Sequence, residues 1–361
     1  MRIGIVTFLS ASNYGAVLQN YALQTVLNKM GYGQVETIDR LFGGFKSTLR
    51  FRCIRKYIFQ NYFIRFRNRY LKLSDHINNQ RDLHRIQNEY DVIIVGSDQI
   101  WNFDCIAEME YFYYLDWVTN QKVRKVSYAA SFGRDMFNLS QEIKDKVSTL
   151  LNDFLCISVR EKSGISICQE MLGVNADYDL DPTLLLSVVD YNQIVKLERC
   201  VRKRYLCSFI LDQSKEKMDY VKAIAEKLDL RVINIYPKEV NRWKSLVSSK
   251  YHFLPVEKWL QYIYNADFVV TDSFHGMAFS INFNKQFIAI NNAYRGSTRF
   301  VNLLSLLGLE DRLVADSSLS GMEQCINFDK VNGLLDLERK RSYNRLCDVL
   351  KSCKTCNNKD I

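Results

Sequence analysis

Short runs that are apolar at every position and end abruptly in polar loops constrain this chain more than any other feature. VIIV at Val92–Val95 runs directly into GSDQIWN, and FVV at Phe268–Val270 into TDSFHG. A strand with no polar face has to be buried on both sides, the condition of a parallel sheet covered by helices. Parallel strands need long crossovers, and helical patterns supply them. Val17, Leu23, Val26, Leu27 and Met30 recur at helical spacing, with Gly31 where that helix should stop. QEIKDKVSTLLNDF and KEKMDYVKAIAEKL read as helices between later strands.

Strands are expected at Arg2 to Phe8, at Val35 to Asp39, and in DVIIV, KVSYAASF and CISVRE. A second series follows in RYLCSFIL, RVINIYP, DFVVTDS and QFIAI. DLDPTLLL, around Asp181 and Pro182, separates the two series, and 361 residues are too many for one ordinary core. The expected fold class is α/β, with two Rossmann-like domains at residues 1–187 and 188–361. The first carries a basic helical insertion at 40–85, and the second carries the DSFHG loop and a C-terminal helix.

No run of about 18 uncharged apolar residues occurs, and MRIGIVTFLS enters a strand without a signal-peptide layout, so a soluble cytoplasmic protein is expected. The 10 cysteines include Cys156 and Cys207 inside apolar runs, as reduced buried thiols do. Cys353 and Cys356 have CxxC spacing beside Cys347, but a fourth ligand of suitable placement is lacking, and no metal is expected. There is no GxxxxGK[ST] and no GxSxG, and GYGQVE precedes a strand instead of following one. P-loop, dinucleotide and serine-hydrolase chemistry therefore lack their usual marks.

The net charge of +9 is concentrated in residues 40–85, which hold 12 Lys/Arg against 2 Asp/Glu. Within this block Ile54, Ile58, Tyr62, Phe66 and Tyr70 repeat at i, i+4. Two readings stand: a basic amphipathic helix on an anionic membrane surface, or an apolar stripe packed onto the first domain or a second subunit. Nucleic acid is not expected, because no reader motif accompanies the charge.

In open parallel sheets ligands bind beyond the carboxyl ends of strands. Four loops occupy such positions: Ser10 to Gly15, Gly96 to Asn102, Ala130 to Gly133, and Asp272 to Gly276. Their small, hydrogen-bonding residues open onto helix N-termini, which favour phosphate or carboxylate. The same residue types also serve merely as caps and turns.

FLSASNYGAVLQNYALQ, DVIIVGSDQIWN, YAASFG, SVREKSG, DPTLLL and FVVTDSFHGMAFSINFNKQFIAI stand in this order. Together they resemble the successive signatures of the polysaccharide pyruvyl transferase family, from the first strand to about Leu309. The resemblance implies the two-domain GT-B glycosyltransferase architecture, with the first domain on the acceptor side and the site in the interdomain cleft. It implies transfer of the pyruvyl group of phosphoenolpyruvate to a sugar diol as a cyclic ketal, in surface or exopolysaccharide biosynthesis. The donor is then a substrate and no cofactor is needed; the glycan acceptor would sit free or on a lipid carrier at the membrane. A sugar-nucleotide-dependent glycosyltransferase and a non-catalytic glycan- or nucleotide-binding protein remain as alternatives.

Phosphoenolpyruvate calls for cations and aimed N–H donors, and ketal formation for proton transfer. His275, between a buried strand and a helix start, is the candidate acid or phosphate partner, and Arg160 the candidate carboxylate or phosphate clamp. Arg295 and Arg299 can add positive charge. Asp98, Gln99 and Asn102 are candidates for sugar hydroxyls and Trp101 for stacking on a pyranose face. Asn13, Tyr14, Gly15 and Gln19 in the first loop complete the candidate contacts, with Gly96, Ser97, Ser131, Ser273, Phe274 and Gly276.

Overall fold

The computed structural model describes residues 1–9, 12–40, 62–106, 111–195, 204–238, 252–292, 296–314 and 324–357. They divide into two compact units. Unit 1 comprises Met1–Phe45, Arg67–Leu185 and Asp336–Ile361; unit 2 comprises Lys46–Phe66 and Leu186–Leu335.

Unit 1 is built on a five-stranded sheet of β1 (Arg2–Val6), β2 (Gln34–Thr37), β3 (Val92–Val95), β4 (Arg124–Ser127) and β5 (Phe154–Cys156). Its order is β2-β1-β3-β4-β5, and every pairing is parallel. A short pair, β6 (Ser158–Val159) and β7 (Asp177–Tyr178), lies apart from it. Unit 2 has a second all-parallel sheet of β8 (Tyr205–Phe209), β9 (Arg231–Asn234), β10 (Phe268–Thr271), β11 (Gln286–Ile290) and β12 (Leu313–Val314), in the order β12-β11-β10-β8-β9. Each sheet thus starts in the middle, adds one strand on one side and then reverses. The reversal creates a topological switch point between β1 and β3 in unit 1 and between β8 and β10 in unit 2, where crevices open beyond the strand ends.

The sequence explains the elements locally. The helix Tyr14–Met30 is capped by Asn13, whose side chain accepts the Ala16 N–H, and it ends at Gly31, held at φ 71° with its N–H on the Asn28 carbonyl. Only glycine takes that backbone conformation without strain. β3 and β10 are buried at every residue, as their unbroken apolar character requires. The helix Phe274–Asn282 follows β10 after two residues and approaches the sheet closely. A Cβ on Gly276 would lie 2.9 Å from Phe209 Cδ1, so a larger residue here would push the helix away.

Two segments belong elsewhere than their position in the chain predicts. The division between the halves falls after Leu185, near the expected 187, but the helix Phe328–Asn357 joins unit 1 from Asp336 onward. There Ser342 Oγ accepts the Leu180 N–H at 3.1 Å, Arg345 pairs with Asp177 at 3.1 Å, and Leu346, Leu350 and Cys353 are buried. Residues 62–66 at the end of the basic block join unit 2, where Phe63 meets Phe253 edge-on at 5.5 Å. Residues 62–70 are helical, with Phe63, Phe66 and Arg67 buried, while Ile54 and Ile58 lie outside the described residues. Membership follows the neighbours that bury an apolar face, which proximity along the chain does not reveal. Among the described residues no helix is long and apolar enough to cross a membrane.

Candidate active site

The unit 1 switch point is assembled from buried polar side chains. Gln19 donates to Thr7 Oγ1 at 2.7 Å and to the Ala16 carbonyl at 3.0 Å, and Thr7 Oγ1 donates to the Ser97 carbonyl at 2.9 Å. These bonds tie the end of β1 to the end of β3. Gly96 backs onto Thr7 and Leu23, where an added Cβ would sit tightly, 3.2 Å from Thr7 Cβ and 3.3 Å from Leu23 Cδ2. Gln19, Gly96 and Ser97 therefore shape the loops from within; Tyr14 and Gly15 are buried with them, while Asn13 is exposed. Ser10 lies outside the described residues.

Trp101 is not a stacking platform for a sugar. It is fully buried, with its ring planes 8° from those of Tyr114 and centroids 5.5 Å apart, and its Nε1–H donates to the Tyr113 carbonyl. Phe132 and Phe154 close around it. An aromatic cluster of this size is core material. Gln99 and Asn102 beside it engage each other, Asn102 Nδ2 donating to Gln99 Oε1 at 2.9 Å.

Arg160, expected as a clamp on a ligand's carboxylate or phosphate, is enclosed by the protein's own carboxylates. Nη1 donates to Asp181 Oδ2 at 2.6 Å, Nη2 lies 3.6 Å from Asp98 Oδ1, and Nε lies 4.0 Å from Glu161 Oε2. Burial works against the charge, but Asp181, Asp98 and Glu161 outweigh it and hold the guanidinium above its ordinary value. Each carboxylate has further donors. Glu161 Oε1 accepts Ser131 Oγ and the Phe132 N–H, both at 2.9 Å, and Asp181 Oδ1 accepts the N–H and hydroxyl of Thr183. Ser97 Oγ donates to Asp181 Oδ2 at 3.2 Å. The network locks the loops after β3, β4, β6 and β7 together, and it leaves more negative than positive charge at the ends of these strands.

Unit 2 inverts this arrangement. Asp272, immediately after β10, is buried and accepts the Leu211 N–H at 2.6 Å and the Asp212 N–H at 3.2 Å. Its Oδ2 also accepts Lys217 Nζ at 2.7 Å and Asn292 Nδ2 at 3.3 Å. The loops after β8, β10 and β11 are thereby joined on one carboxylate. Ser273 caps the helix Phe274–Asn282, accepting the Gly276 N–H, and His275 lies in its first turn, buried beside the Phe274 ring. The Arg299 guanidinium sits 5.9 Å from the centre of that ring and is itself buried. Arg295 lies outside the described residues.

A helix N-terminus with His275 in its first turn and Arg299 beside the Phe274 ring is suited to a small anion, while Lys217 is engaged by Asp272. Sequence reading placed His275, Ser273 and Arg299 here but missed Lys217, Asp272 and Asn292. Lys217 occupies the first turn of the helix Lys215–Lys227, so its only sequence signal was position in a loop-to-helix junction after a strand.

With both switch points in view, the wider likenesses can be weighed. The sequence matches the family described as Polysaccharide pyruvyl transferase over residues 13–294. The chain belongs to this family. As a family member it is a transferase of polysaccharide modification, and the match spans the strand-end loops of both units. No curated protein matches it. Among solved structures it is similar to the UDP-GlcNAc 2-epimerase of Methanocaldococcus jannaschii in complex with UDP-GlcNAc and UDP, with a TM-score of 0.51 and 11% identity, over 98% of this chain and 100% of that one. A putative UDP-N-acetylglucosamine 2-epimerase from Listeria monocytogenes gives a TM-score of 0.50 and 10% identity, over 96% and 90% of the two chains. At such identities the likeness establishes the fold: two Rossmann-like halves of the GT-B class, as the sequence predicted.

Proposed function

We propose that the protein transfers the pyruvyl group of phosphoenolpyruvate to two hydroxyls of a glycan, forming a cyclic ketal and releasing phosphate. Family membership supports the reaction class. The observation that carries the donor assignment is the unit 2 switch point, where His275 lies in the first turn of a helix behind the Ser273 cap, with Lys217 and Arg299 nearby. A donor bearing both phosphate and carboxylate needs converging N–H groups and cations, and a titratable imidazole for proton transfer near neutral pH. In this reading His275 protonates the enol carbon or the departing phosphate, and Arg299 stabilises the anionic groups. The surplus of carboxylates in unit 1 suits an uncharged polyhydroxyl acceptor, free or lipid-linked, whose hydroxyls need acceptors.

Thermal shift separates the donors, because a ligand that binds only the folded state raises its stability. Phosphoenolpyruvate should raise the melting temperature and UDP-GlcNAc should not. Incubation with phosphoenolpyruvate and a glycan library should then give a pyruvyl adduct by mass spectrometry together with inorganic phosphate. Turnover with a sugar nucleotide in place of phosphoenolpyruvate would replace this reading with glycosyl transfer.

A further inference from the structure

We propose that Lys217 is a positioning residue that sets the affinity of unit 2 for its anionic donor without touching it, by neutralising Asp272; the inference rests on the function proposed above. Asp272 directly precedes the Ser273 cap of the helix Phe274–Asn282, so its carboxylate stands at the helix end to which an anionic ligand is drawn. The side chain of Asp272 keeps 0% of its surface, which leaves its charge poorly screened by water. Two negative groups at one site disfavour each other. Lys217 Nζ, 2.7 Å from Asp272 Oδ2, removes that conflict.

Two observations make the pair more than a fastening between loops. The fastening itself does not require Lys217: Asp272 already accepts the N–H groups of Leu211 and Asp212 and the Nδ2 of Asn292, which join the loops after β8, β10 and β11. Lys217 also stands where local preference is against it. It lies in the first turn of the helix Lys215–Lys227, at the positive end of the dipole, where an acid such as its neighbour Glu216 is favoured and a lysine is not. Its ion pair among the described residues is the one with Asp272.

The charge balance at the helix end turns on this contact. The carboxylates there are Asp272 and the exposed Asp212, whose Oδ2 accepts Asn292 Nδ2 at 2.6 Å; the cations are Lys217 and Arg299, and His275 is the titratable group. Without Lys217 a buried carboxylate is uncompensated, and an incoming anion meets repulsion at the end that should attract it. With Lys217 in place, Arg299 and the helix N-terminus act on the anion unopposed.

Lys217→Met removes the charge and keeps the reach of the side chain. By isothermal titration calorimetry on the full chain, its affinity for phosphoenolpyruvate and for inorganic phosphate should fall by about 10- to 100-fold, the Coulomb scale for one partly screened charge about 7 Å from an anion. With an acceptor that the wild type pyruvylates, KM for phosphoenolpyruvate should rise by a similar factor while kcat changes little, and Lys217→Arg should restore the affinity. Asp272→Asn separates charge from structure: its melting temperature should drop, yet it should bind phosphate at least as tightly as the wild type, because Lys217 is then uncompensated. A fastening role predicts weaker binding in step with the lost stability. Wild-type affinity in Lys217→Met, failure of that variant to fold, or weakened phosphate binding by folded Asp272→Asn overturns the proposal. If the wild type binds phosphate but transfers only from a sugar nucleotide, the donor assignment falls and Lys217 is still judged by the phosphate titrations; a wild type that binds neither anion ends both.

Discussion

In unit 1 the group enclosed at the strand ends is a cation, Arg160, held among Asp98, Glu161 and Asp181; in unit 2 it is a carboxylate, Asp272, held among Lys217, Asn292 and two backbone N–H groups. The sheets that carry them have the same strand order and the same switch point. One scaffold therefore serves opposite electrostatic ends. In unit 2 a carboxylate is buried among donors beside a helix N-terminus, whereas in unit 1 a cation is buried among carboxylates. Fold alone would not have distinguished the two, because function resides in the side chains grafted on it.

The contrast is tested most severely at Arg160. Arg160→Ala strands three buried carboxylates, and urea denaturation should show a loss of about 3–5 kcal/mol, the scale for breaking a buried ion pair on one side. Near-wild-type stability would mean that the carboxylates find protons or water without it, and that the network is not what joins these loops. In unit 2, His275→Ala should leave the melting curve almost unchanged while kcat drops by at least about 100-fold, equivalent to roughly 2.7 kcal/mol in the barrier. Comparable loss of stability and activity would make His275 a packing residue and sharpen the contrast in another direction.

Gly276→Ala probes the close approach that brings His275 to the end of β10. The added methyl presses on Phe209, and overpacking of this kind destabilises by about 1–3 kcal/mol, measurable as a lowered melting temperature. Full stability in the variant would show that the helix can shift without consequence.

The smallest expected effect is a slope. Burial pushes the Asp179 carboxyl up to about 6, against the pull of Arg345. A raised acid contributes stability that is fully present below its unfolded value of about 3.9 and is lost as pH rises through the folded value. Wild-type stability should therefore carry a declining component between about pH 4 and 6, and Asp179→Asn should flatten that interval; an identical slope in both proteins would remove Asp179 as its source.

The strands and their loops were legible in the sequence because each signal is local. VIIV and FVVT are buried strands by composition, and Gly31 ends its helix by conformation. The Arg160 network was not legible, since its partners Asp98 and Asp181 stand 62 and 21 residues away. Only the fold brings them together. Trp101 failed as a sugar platform for the same reason: Tyr113, Tyr114, Phe132 and Phe154, which bury it, come from three separate stretches of chain. Asp272 was hidden more simply, because an aspartate before a helix looks like any cap.

The helix Phe328–Asn357 has a consequence for how the chain comes into being. Its Ser342 hydroxyl receives the N–H of Leu180, 162 residues earlier, and its Leu346, Leu350 and Cys353 are buried. During synthesis the strands of unit 1 emerge first, yet the unit is not complete until the ribosome has passed residue 353. The half of the protein made first is in this sense finished last, and through that interval its apolar surfaces await a partner that has still to be translated.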